Sequence, residues 1–114
     1  MRHMNEFRIL LANSPRSYRD TFAAVFRSQH PWARVMAVEP HELVHHIGAF
    51  SPHLIICSEL TPEVAAHQGH WLVLDPERQR QATLGHPSGS RILTNVDLSL
   101  LLALIAEIGL SFLA

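Results

Sequence analysis

His41-Glu42-Leu43-Val44-His45 is the segment whose residue types and spacing most directly spell out a chemistry. On a continuous helix, two histidines four positions apart share a face and can hold zinc, while the glutamate beside the first serves as general base toward a metal-bound water. Gly48 extends the match toward the longer pattern of one class of zinc proteases. The rest of that pattern is missing. Its third ligand would stand at position 51, which is serine, and its downstream methionine has no candidate, since the methionines are Met1, Met4 and Met36. His41, Glu42 and His45 therefore define an alternative, a small zinc-binding protein or metalloprotease-like enzyme, set against the expectation of a solvated helix that carries no metal.

Other chemistries are excluded by composition. All 9 basic side chains are arginine, so Schiff-base catalysis and a phosphate-loop lysine are impossible. Cys57 has no second cysteine to pair with and lies inside an apolar run, which suits a buried, inert thiol and a reducing compartment. Gly85-His86-Pro87-Ser88-Gly89-Ser90 is turn-rich but lacks the glycine spacing of nucleotide-binding loops. A formal charge of −1 and a pI near 6.7 give no footprint for nucleic acid. The charge is uneven along the chain. Six arginines against Glu6 and Asp20 make residues 1–34 basic, whereas residues 35–77 hold six acids and no arginine. Such a division implies a basic and an acidic side.

The elements that must position these residues follow from the apolar pattern. Residues 6–12 form a short apolar run that reads as a strand, and Ser14 and Pro15 suit the N-cap and first turn of a helix carrying Tyr18, Phe22, Val25 and Phe26 on one face, with Arg16, Arg19, Asp20 and Arg27 opposite. Residues 33–38 read as a second strand, and Pro40 opens a helix that runs to about Phe50. Residues 53–58 form a continuous apolar strand of the kind parallel sheets bury on both faces. A short helix after Thr61, a strand at residues 71–74, a polar stretch with turns, a fifth strand at residues 91–94 and a final helix capped by Asp97 complete the chain. With 114 residues this is one domain. Alternating strands and helices predict an α/β fold, a flavodoxin-like doubly wound sheet of five parallel strands in the order 2-1-3-4-5, with shortened helices after strands 3 and 4. Its ligand position would be the switch point beyond strands 1 and 3, at Asn13-Ser14 and Ser58-Glu59.

Residues 8–15 (Arg-Ile-Leu-Leu-Ala-Asn-Ser-Pro), 52–58 (Pro-His-Leu-Ile-Ile-Cys-Ser) and 92–98 (Ile-Leu-Thr-Asn-Val-Asp-Leu) resemble the first, third and fifth strand segments of the receiver domain of response regulators. The resemblance spans about residues 6–113 and implies a module of two-component signal transduction. It also implies that the phosphoryl switch is gone. Asn13 and Ser14 stand where the family has its metal-binding acids, Ser58 where it has the phosphate-accepting aspartate, Asp75 where the fourth strand ends in a hydroxyl residue, and Asn95 where it has lysine. Neutral side chains do not offset the dehydration of magnesium, and acyl-phosphate formation needs a carboxylate nucleophile with a cation for the transferring oxygens. The expectation is a pseudo-receiver, not an enzyme, with no cofactor.

Residues 98–114 are apolar nearly all round yet shorter than the roughly 20 apolar residues of a membrane span, and no secretory signal opens the chain, so a cytoplasmic protein without a membrane partner is expected. Leu98, Leu101, Leu102, Ile105 and Ile108 can face the core, which leaves Leu100, Leu104, Leu110, Phe112 and Leu113 as an expected interaction surface. The partner expected there is a protein, with homodimerisation through the fifth strand and the last helix.

Overall fold

The computed structural model describes residues 6–74 and 81–113, Leu113 by its backbone alone. In chain order the elements are β1 (Phe7–Ala12), α1 (Arg16–Gln29), β2 (Ala33–Ala37), a 3-10 turn (Pro40–Glu42) running into α2 (Leu43–Phe50), β3 (Leu54–Cys57), α3 (Pro62–Ala65), β4 (His70–Leu74), β5 (Ala82–His86), β6 (Gly89–Leu93) and α4 (Leu98–Leu113). They build an α/β fold around one six-stranded sheet in the order β2-β1-β3-β4-β5-β6.

The first four strands are parallel in the order 2-1-3-4 that the apolar pattern predicts. The expected all-parallel five-stranded sheet does not continue beyond them. β5 runs antiparallel to β4 and pairs with β6 as a hairpin, so the sheet is mixed. Chain length explains this. A parallel neighbour needs a crossover of about a dozen residues or more, and only residues 75–81 separate β4 from β5. An antiparallel return is what so short a connection permits. The strand expected at residues 91–94 exists as β6, but β5 lies between it and β4.

β5 occupies a stretch that sequence patterning assigns to polar chain and turns, because its period-two signal is only Ala82 and Leu84, both buried, before Gly85 interrupts it. Gly85 is required where it stands. It pairs with Trp71, and a Cβ there would lie 2.1 Å from the indole ring, which lies across the glycine backbone. Pro87 and Ser88 form the hairpin turn, followed by Gly89 at φ +153°.

β1 and β3 are buried on both faces. Phe7, Ile9, Leu11, Leu54 and Ile56 pack with Ala23 and Phe26 of α1 and with α4, while Leu10, Ala12, Ile55 and Cys57 pack on the other face with Leu43 and Phe50 of α2 and Val64 of α3. In α4, Leu101, Leu104, Ile105 and Ile108 are all buried. They form the i, i+3, i+4, i+7 stripe of a one-faced helix. Leu104 therefore belongs to the core and not to an interaction surface, and Leu100 and Leu102 pack partly against that core. Leu98, assigned to the core by its spacing, is exposed instead. Of the expected surface, Leu110 (65% exposed) and Phe112 (40%) remain accessible, and the side chain of Leu113 lies outside the described residues. No helix among the described residues is long and apolar enough to cross a membrane.

Candidate functional site

Three of the five residues singled out at the phosphoryl-switch positions come together. β1 and β3 are adjacent, with Ala12 level with Cys57, so the chain emerges from both strands at one place carrying Asn13, Ser14 and Ser58. Ser58 Oγ accepts the Ser14 N–H at 2.8 Å and donates to the Ser14 carbonyl at 3.4 Å. Ser14 is thus not the N-cap of α1: the helix starts at Arg16 without a side-chain cap, and the Ser14 N–H is turned to β3. The Ser58 hydroxyl is thus engaged with the Ser14 backbone, and the two residues present neither a carboxylate nucleophile nor a metal-binding acid.

Asn13 is buried, and its Oδ1 has no hydrogen-bond partner among the described residues. Its carbonyl accepts Nη1 of Arg19 at 3.2 Å, while Nη2 of the same guanidinium contacts Glu39 Oε2 at 2.6 Å. Helical spacing that counts only apolar residues places Arg19 on the solvent side, yet it is 3% exposed. It lies four and seven positions before Ala23 and Phe26, on their inward face, and its charge is neutralised by a carboxylate from beyond β2. The buried cation is therefore committed to a structural pair. Asp75 lies outside the described residues. Asn95 is not brought to the switch point by a strand next to β4. It follows β6, adopts a left-handed φ of 55° and is exposed, displaced from the expected position by the width of β5.

The zinc motif is broken by the backbone. His41 belongs to the 3-10 turn and His45 to α2, which begins only at Leu43, so they do not lie on one continuous α-helical face. Glu42 accepts the Glu39 N–H at 3.3 Å and closes a capping box on the 3-10 turn. His41, Glu42 and His45 are all exposed. Among the described residues no three His, Cys, Asp or Glu side chains are placed to hold a metal ion. Cys57 is buried with its thiol pushed up to about 11, chiefly by burial, and its Sγ donates to the Glu59 carbonyl. An inert thiol results.

A second site lies at the opposite end of the sheet, where the parallel strands begin, and no motif announces it. A cleft of about 800 Å³ is lined by Phe7, His53, His67, His70, Ile108 and Phe112, among others. His53 is held in place by both neighbours. Its Nδ1 accepts the Arg8 N–H at 3.0 Å, its own N–H donates to the Arg8 carbonyl, and its carbonyl accepts the His70 N–H. Its ring is 3.8 Å from that of Phe112. His70 stands 5.5 Å from His86 of β5, ring to ring. His53, His67 and His70 are all held below the ordinary histidine range, first by burial and then by a neighbouring cation or histidine: Arg8 for His53, His70 for His67, His86 for His70. Their positions, before β3, in the α3–β4 connection and at the start of β4, carry no spacing rule, so only the pairing of β1, β3, β4 and β5 gathers them.

Comparison with protein families finds no match, and comparison with curated proteins finds none. Among solved structures the chain is similar to methionyl-tRNA formyltransferase from Clostridium thermocellum, with 12% identity and a TM-score of 0.46. The similarity covers 79% of this chain and 54% of that one, so the chain matches about half the length of that protein.

Proposed function

We propose that this chain is a non-catalytic regulatory module, a receiver-like domain without an aspartyl-phosphate switch, that works by binding another protein. The observation that carries the reading is the closed pair at the switch point. The Ser58 hydroxyl is engaged with the Ser14 backbone where a receiver would present its acceptor aspartate and metal acids, and the nearby guanidinium of Arg19 is already paired with Glu39. The retained order 2-1-3-4 of the first four strands supports the receiver-like origin, whereas the β5–β6 hairpin marks the departure from it.

The partner in this reading is a second copy of the chain. β6 is the last strand of the sheet, its residues 89–92 are exposed, and Ile92 adds an exposed apolar side chain to it. Such an edge is a template for antiparallel pairing. The accessible end of α4, at Leu110 and Phe112, supplies further apolar surface.

Two measurements test the reading. Incubation with acetyl phosphate and Mg²⁺ leaves the intact mass at 12.8 kDa. A gain of one phosphate that disappears in Ser58→Ala would overturn the loss of phosphoryl chemistry. Sedimentation at rising concentration gives twice the chain mass; a monomer throughout refutes the second-copy partner.

A further inference from the structure

We propose that the histidine row at the N-terminal edge of the parallel strands is an acid-sensitive latch on the last turn of α4, closed while the imidazoles are neutral and released when they take up protons. The row runs from His53 before β3, through His67 in the α3–β4 connection, to His70 at the start of β4 and His86 at the end of β5. Phe112 of α4 closes one side of the cleft by resting on His53, and Ile108 and Ser111 line the same wall.

Geometry makes the neutral state necessary. His53 Nδ1 is an acceptor for the Arg8 N–H, so a proton there replaces a hydrogen bond with two facing donors. The Arg8 guanidinium stands on the other ring nitrogen, with Nη2 3.5 Å from Nε2, so the new charge also meets an existing cation. His67 Nε2 is buried with no partner among the described residues and abuts Gly69, where even a Cβ would lie 2.7 Å from that nitrogen. A proton on it would be a buried, unpaired donor.

The charged groups around the row do not relieve this. From the β1 side, Glu6 favours a protonated His53, but its carboxylate is already 3.9 Å from Arg8 and 3.6 Å from Arg34. Glu63 of α3 lines the cleft from an exposed position, where water screens it. α2 contributes Ile47, with no titrating group, and the adjoining groove beside His70 and His86 receives one charge of each sign, Glu107 from α4 and Arg91 from β6. The Phe112 face attracts an imidazolium, but that single contact is set against the lost Arg8 N–H hydrogen bond and the like charge of the Arg8 guanidinium together.

Proton linkage fixes the direction of the pH effect. Folded-state histidine values below the unfolded one mean that the unfolded chain binds more protons; burial is the first cause at His53, and Phe112 covers that ring, so releasing this turn relieves part of the same penalty. The stabilisation is complete above the ordinary histidine value of about 6.5 and is lost as pH falls through the lowered folded values.

The test is amide hydrogen exchange of the intact chain, corrected for the intrinsic pH dependence of exchange. Lowering the pH from about 7.5 to about 5.5 accelerates amides of residues 108–112 by about tenfold, while amides of residues 19–26 in α1 keep their protection. His53→Asn retains an acceptor near the position of Nδ1 without titrating, and combined with His67→Gln it flattens that response. His70→Gln, between His67 and His86 in the row, reduces it in a chain that keeps the His53 contacts. The proposal is overturned if residues 108–112 accelerate no more than residues 19–26, or if the His53→Asn/His67→Gln and His70→Gln chains both keep the full response.

Discussion

Phe7→Ala lowers the stability of the fold by about 3–5 kcal/mol, the range for removing a fully buried aromatic ring. Phe7 has no exposed surface and is the common neighbour of an aromatic group that would otherwise fall apart. Its ring stacks on Trp32 at 5.7 Å, lies 5.8 Å from His53 at an interplanar angle of 15°, and lies 5.8 Å from Phe112. These contacts join the turn before β2, the start of β3 and the end of α4 at the first residue of β1. Deleting the ring removes the transfer energy and leaves a cavity between the Trp32, His53 and Phe112 rings. Urea unfolding followed by circular dichroism checks the value. Phe7→Leu keeps most of the volume and costs less, about 1–2 kcal/mol. A Phe7→Ala loss below about 1 kcal/mol would mean that this end of the sheet is not packed as described.

Glu39→Ala costs about 3 kcal/mol, at the low end of the range for leaving a buried ion without its partner. The Arg19 side chain is 3% exposed whereas the Glu39 side chain is 46% exposed, so the two halves of the pair are not equivalent. Without Glu39, the guanidinium keeps only the Asn13 carbonyl and remains in a site it cannot leave, since Arg19 is on the face of α1 that packs against the sheet. Without the arginine, the carboxylate turns to water. Arg19→Met, which fills the same space with an apolar chain, therefore costs less than Glu39→Ala and can be near neutral. Thermal unfolding of both variants orders them. Equal losses would show that the charge at position 19 is not what Glu39 serves to stabilise.

Both predictions rest on tertiary facts that the apolar pattern does not carry. Strands β1 and β3 are legible because residues 7–12 and 54–57 are uninterrupted apolar runs save for Arg8, and a strand buried on two faces needs nothing else to identify it. The Asp97 cap of α4 is legible for a local reason, since its Oδ1 accepts the Leu100 N–H at 2.9 Å, three residues on. Arg19 is different. A guanidinium is read as solvent-facing until a carboxylate is known to sit across from it, and Glu39 arrives from twenty residues away. β5 is hidden because Gly85, a residue that weakens strand signals, is what the Trp71 ring demands on the neighbouring strand.

The candidate sites divide in the same way. The positions Asn13, Ser14 and Ser58 could be named in advance because they come directly after two obvious strands, and the two strands turn out to be neighbours. The position of Asn95 depended on a parallel fifth strand beside β4, and the short 75–81 connection gives that place to β5 instead. The His41–His45 motif satisfied a spacing rule that holds only on one unbroken helix, and a 3-10 turn closed by the Glu39–Glu42 capping box holds His41, so that α2 begins only at Leu43.

Sequence alone determined what chemistry is missing: with no lysine among its 9 basic residues and one cysteine in the chain, no fold can supply a side-chain ammonium or an internal disulfide. It also determined the two-sided burial of β1 and β3, because continuous apolar runs have no favourable solvated arrangement. Tertiary structure alone decided the direction of β5 and β6, the burial of Arg19, and the gathering of His53, His67 and His70 into one cleft. The physical reason is common to all three. Strand direction depends on how much chain is left for a crossover, and the environment of a polar side chain depends on which neighbours pairing places across from it; neither quantity is local to the residue.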